Sequence, residues 1–119
     1  MADMIRMTPA DRRRQLLDVA LDLAVKHGYR RVTRLDLAVA AGCSPGLVNV
    51  YFVTMQELRD KVMRAAIRRA GAALTLGQPC RWLAIVAEGL AEGHTDAVAA
   101  PRELQRAAAA SLVSGGGDA

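Results

Sequence analysis

Between Thr33 and Phe52 the chain reads TRLDLAVAAGCSPGLVNVYF, two short helical stretches joined at Ala41-Gly42-Cys43. In the second stretch Val48 and Phe52 are apolar and four residues apart, so they point inward together. Pro45 with Asn49 and Gly46 with Val50 form two outward rows, and Leu47 and Tyr51 flank the edge. A solvated helix face is better served by Lys, Glu and Gln, which favour both helicity and solubility. Proline, glycine, asparagine and valine there suit a backbone that must come close to another molecule. Two such helices around a tight turn have the pattern of a helix-turn-helix.

The neighbouring segments must hold this unit in place. Thr8-Pro9-Ala10-Asp11 starts a helix, with Thr8 as cap, Pro9 in the first turn and Asp11 at the positive end of the dipole. That helix runs to about His27 with an apolar stripe of Leu16, Leu17, Ala20, Leu21, Leu23 and Ala24, while Arg14, Asp18, Asp22 and Lys26 form a charged row opposite. Gly28 ends it, His27 serves as a C-terminal cap, and Tyr29 packs back on the helix. Thr33 to Asp36 outlines a capping box for a helix over Arg34 to Ala41, which is expected to bury Leu35, Leu37, Ala38 and Ala41. Cys43 plugs the turn, and Ser44-Pro45 caps the next helix.

Thr54 to Glu57 opens a long helix to about Leu76, with Leu58, Val62, Ala65, Ala66 and Ala73 inward and Arg59, Lys61, Arg64, Arg68 and Arg69 outward. Gly77-Gln78-Pro79 breaks it. A fifth helix is expected from Pro79 to about Glu92, and a last from near Pro101 to Val113. His94 lies in a loop with no partner in spacing. The fold class expected is all-α: a tri-helical helix-turn-helix domain over residues 1–54, then a linking helix and two or three short helices over 55–113 that form a dimerisation bundle, then a disordered tail over 114–119.

Composition narrows the chemistry. The 119 residues are 52% hydrophobic but only 3% aromatic, so the core is expected to be alanine- and leucine-lined. The net charge is +4, and it is uneven. Residues 1–54 hold eight basic against five acidic side chains, a surplus of three, whereas 55–119 hold eight against seven, a surplus of one. A basic surplus around a helix-turn-helix permits contact with a polyanion. Cys43 and Cys80 have no metal spacing and read as reduced thiols, and no run of about 18 apolar residues marks a membrane span, which points to the cytoplasm and its nucleoid. There is no paired-carboxylate, Cys/His or glycine-rich phosphate-loop constellation, so neither an enzyme, a metal nor a cofactor is expected.

Residues from about Gln15 to Arg64 resemble the N-terminal DNA-binding domain of the TetR family of bacterial transcriptional repressors. The helix-one stripe, the Gly-Tyr turn, the Thr-led second helix, the Ala-Gly turn and the terminal Tyr-Phe all stand in register. The resemblance implies a homodimer on double-stranded DNA, paired through its C-terminal helices, with the third helix in the major groove. It implies that Thr33, Arg34, Ser44 and Tyr51 reach phosphates, and that Pro45, Gly46, Leu47, Asn49 and Val50 lie against base edges. The chemistry agrees, since Asn49 could pair bidentately with adenine and Leu47 or Val50 could touch a thymine methyl. Arg6 or the run Arg12-Arg13-Arg14 could add non-specific attraction. Met55 stands where the family usually has a phosphate-contacting lysine, so no charge is expected to act there.

Trp82, Leu83, Ile85, Val86, Leu90 and Leu104 are expected to form the dimer interface, because so little chain is present to cover them. Only 65 residues follow Thr54, fewer than the family gives to a ligand pocket, so a small-molecule effector is not expected. A minimal dimeric repressor of bacterial, phage or plasmid origin, binding a two-fold-symmetric operator, is the function these residues suggest. The alternative is a protein-protein regulator that keeps the fold and sequesters another factor.

Overall fold

The computed structural model describes residues 7–78 and 80–116, with side chains described to Leu112. Within them the chain forms α1 (Pro9–His27), a single 3-10 turn (Tyr29–Arg31), α2 (Arg34–Ala41), α3 (Pro45–Tyr51), α4 (Met55–Thr75), α5 (Leu83–Glu92), α6 (Thr95–Val98) and α7 (Arg102–Gly116). No strand occurs among the described residues. Arg6, Pro79 and the tail beyond Gly116 lie outside them.

The starts of the first four helices follow from their side chains. The hydroxyls of Thr8, Thr33, Ser44 and Thr54 accept from the amides of Asp11, Asp36, Leu47 and Glu57 at 3.1, 3.1, 3.1 and 3.0 Å. Each satisfies a donor that the helix itself leaves open. Before α4 the Glu57 carboxylate also accepts from the Val53 amide at 2.9 Å, a reciprocal cap. Gly42, at φ 71°, ends α2 in the left-handed conformation, and the Cys43 amide then reaches the Ala38 carbonyl at 3.0 Å. That pair of features makes the turn between α2 and α3 tight.

The core runs continuously from Leu16, Ala20, Leu21 and Ala24 of α1, through Leu37, Ala38, Val48 and Phe52, to Leu58, Val62, Met63, Ala65, Ala66 and Ala70 of α4. Ile85, Val86, Ala87, Ala97, Leu104 and Ala108 extend it to the last three helices. Alanine dominates the α4 face, so neighbours approach closely. The most constrained point is Gly89 in α5, where an added Cβ would lie 3.0 Å from the Ala97 Cβ and overlap the end of Met63.

Several expectations need correction. Leu35 is 62% exposed, because Leu35 and Leu37 are about 200° apart around α2 and only one can face the core. Helix α5 begins at Leu83, with Trp82 at its N-cap. The extra helix α6 follows His94, whose ring Nδ1 accepts from the Asp96 amide at 3.1 Å while Nε2 lies 3.0 Å from Asp60. His94 is therefore partnered across α4 and α6. Asp18 and Asp22 do not serve α1 alone: Arg69 of α4 pairs with Asp18, and Arg81 pairs with Asp22. Helix α7 runs through Ser114, Gly115 and Gly116, since glycine weakens a helix without removing its amide donor.

Candidate nucleic-acid interface

The helix-turn-helix is an inner face that anchors and an outer face left open. Val48 is 0% and Phe52 1% exposed, so the two residues spaced for the core are in it. Ser44, Pro45, Gly46, Asn49 and Val50 are all exposed, and Val50 is 70% so. Leu47 and Tyr51 are half-buried at the margins. Seven residues thus present a narrow strip of small and hydrogen-bonding groups with no covering element.

The polar groups around this strip retain unused capacity. Ser44 Oγ and Thr33 Oγ1 each accept one amide as caps, which leaves each hydroxyl proton free to donate. A phosphate oxygen is a suitable acceptor, and both hydroxyls sit at helix starts where the dipole favours an anion. The Asn49 amide makes no hydrogen bond among the described residues, so both its donor and its acceptor are available. An exposed amide with both ends free can serve the two-point pattern of an adenine edge.

Arg34 has a partner within the chain. It is half-buried, and its Nη2 donates to the Val53 carbonyl. The guanidinium thereby ties the start of α2 to the turn before α4, and its Nε is buried without a partner. The reason is local, since the Val53 carbonyl lies between helices and needs a donor from elsewhere. Arg34 thus helps to position the helix-turn-helix.

Tyr51 gains a neighbour that spacing did not reveal. The Arg13 guanidinium lies 5.4 Å from the centre of its ring. Arg12 instead donates to Gln15 at 2.8 Å, and Arg14 lies 3.9 Å from Asp11. The run Arg12-Arg13-Arg14 is therefore split, and of the three Arg13 is the one that reaches α3. The run itself was visible in the sequence, but nothing in it distinguished the middle residue. Helical phase relative to α3 does so, and that is a tertiary quantity. Met55, at the first position of α4, is half-buried and packs against the core.

The residues expected to pair two subunits separate into two groups. Ile85 and Val86 are 0% exposed and Leu104 is 4% exposed within one chain, so they are core rather than interface. Helices α6 and α7 fold back over α5 and cover them. Trp82 is half-buried, with Arg69 and Arg81 at 5.4 and 5.5 Å from its ring. Its surroundings belong to its own chain. Leu83 and Leu90 remain partly exposed, and Leu112 is 55% exposed.

Two surfaces were not anticipated. On α2, Leu35 and Val39 are four residues apart and 62% and 73% exposed. Between α4 and α7 a half-open groove of about 420 Å³ is lined by Ile67, Gly71, Leu74 and Leu104, with Arg68 and Glu103 at its edge. Its volume is within the range that small-molecule sites occupy. No group of three metal-ligating side chains and no helix long and apolar enough to cross a membrane occur among the described residues.

Residues 16–62 match the family described as bacterial regulatory proteins, tetR family. The HTH-type transcriptional regulator LuxR of Vibrio harveyi is 33% identical over 64 residues, which are 54% of this chain and 31% of that protein. The chain thus matches about a third of the length of that relative. No solved structure matches.

Proposed function

We propose, from the premise that residues 16–62 are the N-terminal domain of a TetR-family transcriptional regulator, that this chain is a dimeric repressor reading a two-fold-symmetric DNA site with the outer face of α3. The observation that carries this reading is the exposure of Pro45, Gly46, Asn49 and Val50 on a helix whose opposite face is fully buried. Ser44, Thr33 and Tyr51 would fix the duplex through phosphates, while Asn49, Val50 and Leu47 would read base edges. Leu83, Leu90 and Leu112, with the exposed Leu76 and Val98, are apolar side chains that would pair two copies. Occupancy would then follow protein concentration.

Selecting bound duplexes from a random pool tests recognition and symmetry together. The expected products carry two related half-sites; a pool with no enrichment, or with enriched sites lacking two-fold symmetry, contradicts the reading. On a selected site Asn49→Ala should blur preference at one base pair per half-site, and Tyr51→Phe should weaken all sequences alike. A second reading, a regulator that binds another protein through this fold, draws on the exposed Leu35 and Val39. It expects no duplex to be enriched from the random pool, and Leu35→Glu to abolish capture of the protein partner.

A further inference from the structure

A small cleft opens between α1 and α4 beside the end of the recognition helix. Leu17 and Phe52 form its apolar part, and Arg13, Lys61, Arg64 and Arg68 supply four positive charges around about 200 Å³. No acidic side chain lines it. Arg64 has a carboxylate partner, Asp96 at 3.1 Å, while Arg13, Lys61 and Arg68 take part in no ion pair among the described residues. Like charges around one cleft repel one another and favour a shared counter-ion.

We propose that this cleft is a phosphate-binding site, with Arg13 and Lys61 as its principal ligands. Arg13 is held by the Tyr51 ring, which restricts the guanidinium before any anion arrives. A planar guanidinium matches two oxygens of a phosphate, and the Lys61 ammonium adds a point charge. Lys61, Arg64 and Arg68 recur at three- and four-residue steps, so α4 presents them along one side. The volume suits a phosphate group and its waters; a drug-sized molecule needs about 300 Å³ or more.

Two sources can deliver that chemistry. One is the DNA backbone, flanking the bases read by α3, in which case the site rests on the function proposed above. The other is a free phosphorylated small molecule, which does not depend on it. Two arms distinguish them. Fluorescence anisotropy of a labelled duplex is followed across a salt series for the wild type, Arg13→Gln, Lys61→Gln and, as a control on α7, Arg106→Gln. In parallel, the phosphorus resonance of inorganic pyrophosphate is followed as DNA-free protein is added.

If the source is DNA, the slope of log affinity against log salt should fall by about 1 per protomer in Arg13→Gln and Lys61→Gln. Affinity for every sequence should drop by a similar factor, about threefold or more at about 150 mM salt, and Arg106→Gln should match the wild type. If the source is a free ligand, pyrophosphate should broaden with the wild type and stay sharp with either cleft variant. Unchanged slopes together with sharp pyrophosphate overturn the site. So does an equal loss in Arg106→Gln, which would assign the effect to total charge. Should the wild type bind no duplex, the regulatory reading falls and pyrophosphate alone decides the cleft.

Discussion

The helix-turn-helix and the α5–α7 bundle use the same kinds of residue to opposite ends. In α3 the valine at 50 is 70% exposed and the valine at 48 is buried. In α5 Ile85, Val86 and Ala87 are all buried, and the helix is covered by α4, α6 and α7. One region leaves small and apolar groups outside a well-anchored helix, and the other gathers them inside. An apolar side chain therefore signals a partner only after its own chain has failed to cover it. That distinction leaves the outer face of α3 uncovered and buries Ile85, Val86 and Leu104 within their own chain.

The largest effect expected from breaking this contrast is in the shared core. Phe52 is 1% exposed and joins α3 to α1 and the cleft beside α4. Phe52→Ala should cost about 3–5 kcal/mol by denaturant titration, enough to unfold much of a small domain, and DNA binding should vanish with the fold. Next is the bundle. Gly89→Ala puts a methyl against Ala97 and Met63 and should cost about 1–3 kcal/mol. DNA affinity of the folded fraction should be unchanged, and a selective loss would mean that α5 takes part in reading.

Ser44→Ala sharpens the comparison at the α3 side. Losing the cap should cost about 1 kcal/mol of stability, while losing the hydroxyl that can donate to phosphate should lower affinity in the folded protein as well. A drop no larger than the unfolded fraction accounts for would remove Ser44 from the interface.

The smallest effect is a pH dependence on the bundle side. Burial raises the Glu88 carboxyl above its ordinary 4.5, against the pull of Arg30 and Arg31. The folded chain thus holds that proton more tightly than the unfolded chain. Stability from this group is complete below the unfolded pKa and is lost as pH rises through the raised one. Glu88→Gln keeps an oxygen for the Tyr29 amide, which reaches Glu88 at 3.4 Å. It should therefore flatten the fall in melting temperature as pH rises above the ordinary carboxylate value of 4.5.

Local signals explain how much could be read in advance. Thr8, Thr33, Ser44 and Thr54 lie within three residues of the amides they cap, so the first four helices and the turn were legible. The outward strip of α3 was legible for the same reason, since facing follows from helical phase and one buried pair. Long-range partners were not. Arg34 finds a carbonyl 19 residues away, and Arg69 and Arg81 find carboxylates 51 and 59 residues away. Helix α6 depends on a histidine cap and on Gln105, whose amide donates to the carbonyls of Val98 and Ala100 at 2.7 and 3.0 Å. Nothing in the spacing announces that arrangement, and so the cover it provides for α5 was missed.

The most direct test of the central claim is residue-resolved. Isotope-labelled protein is titrated with a selected duplex at about 150 mM salt, and the amide and methyl resonances are followed. The expected result is large shifts at Thr33, Ser44, Gly46, Leu47, Asn49 and Val50, with Ile85, Val86 and Ala87 unmoved. Shifts confined to α5–α7, or none on α3 while the duplex binds, would contradict it.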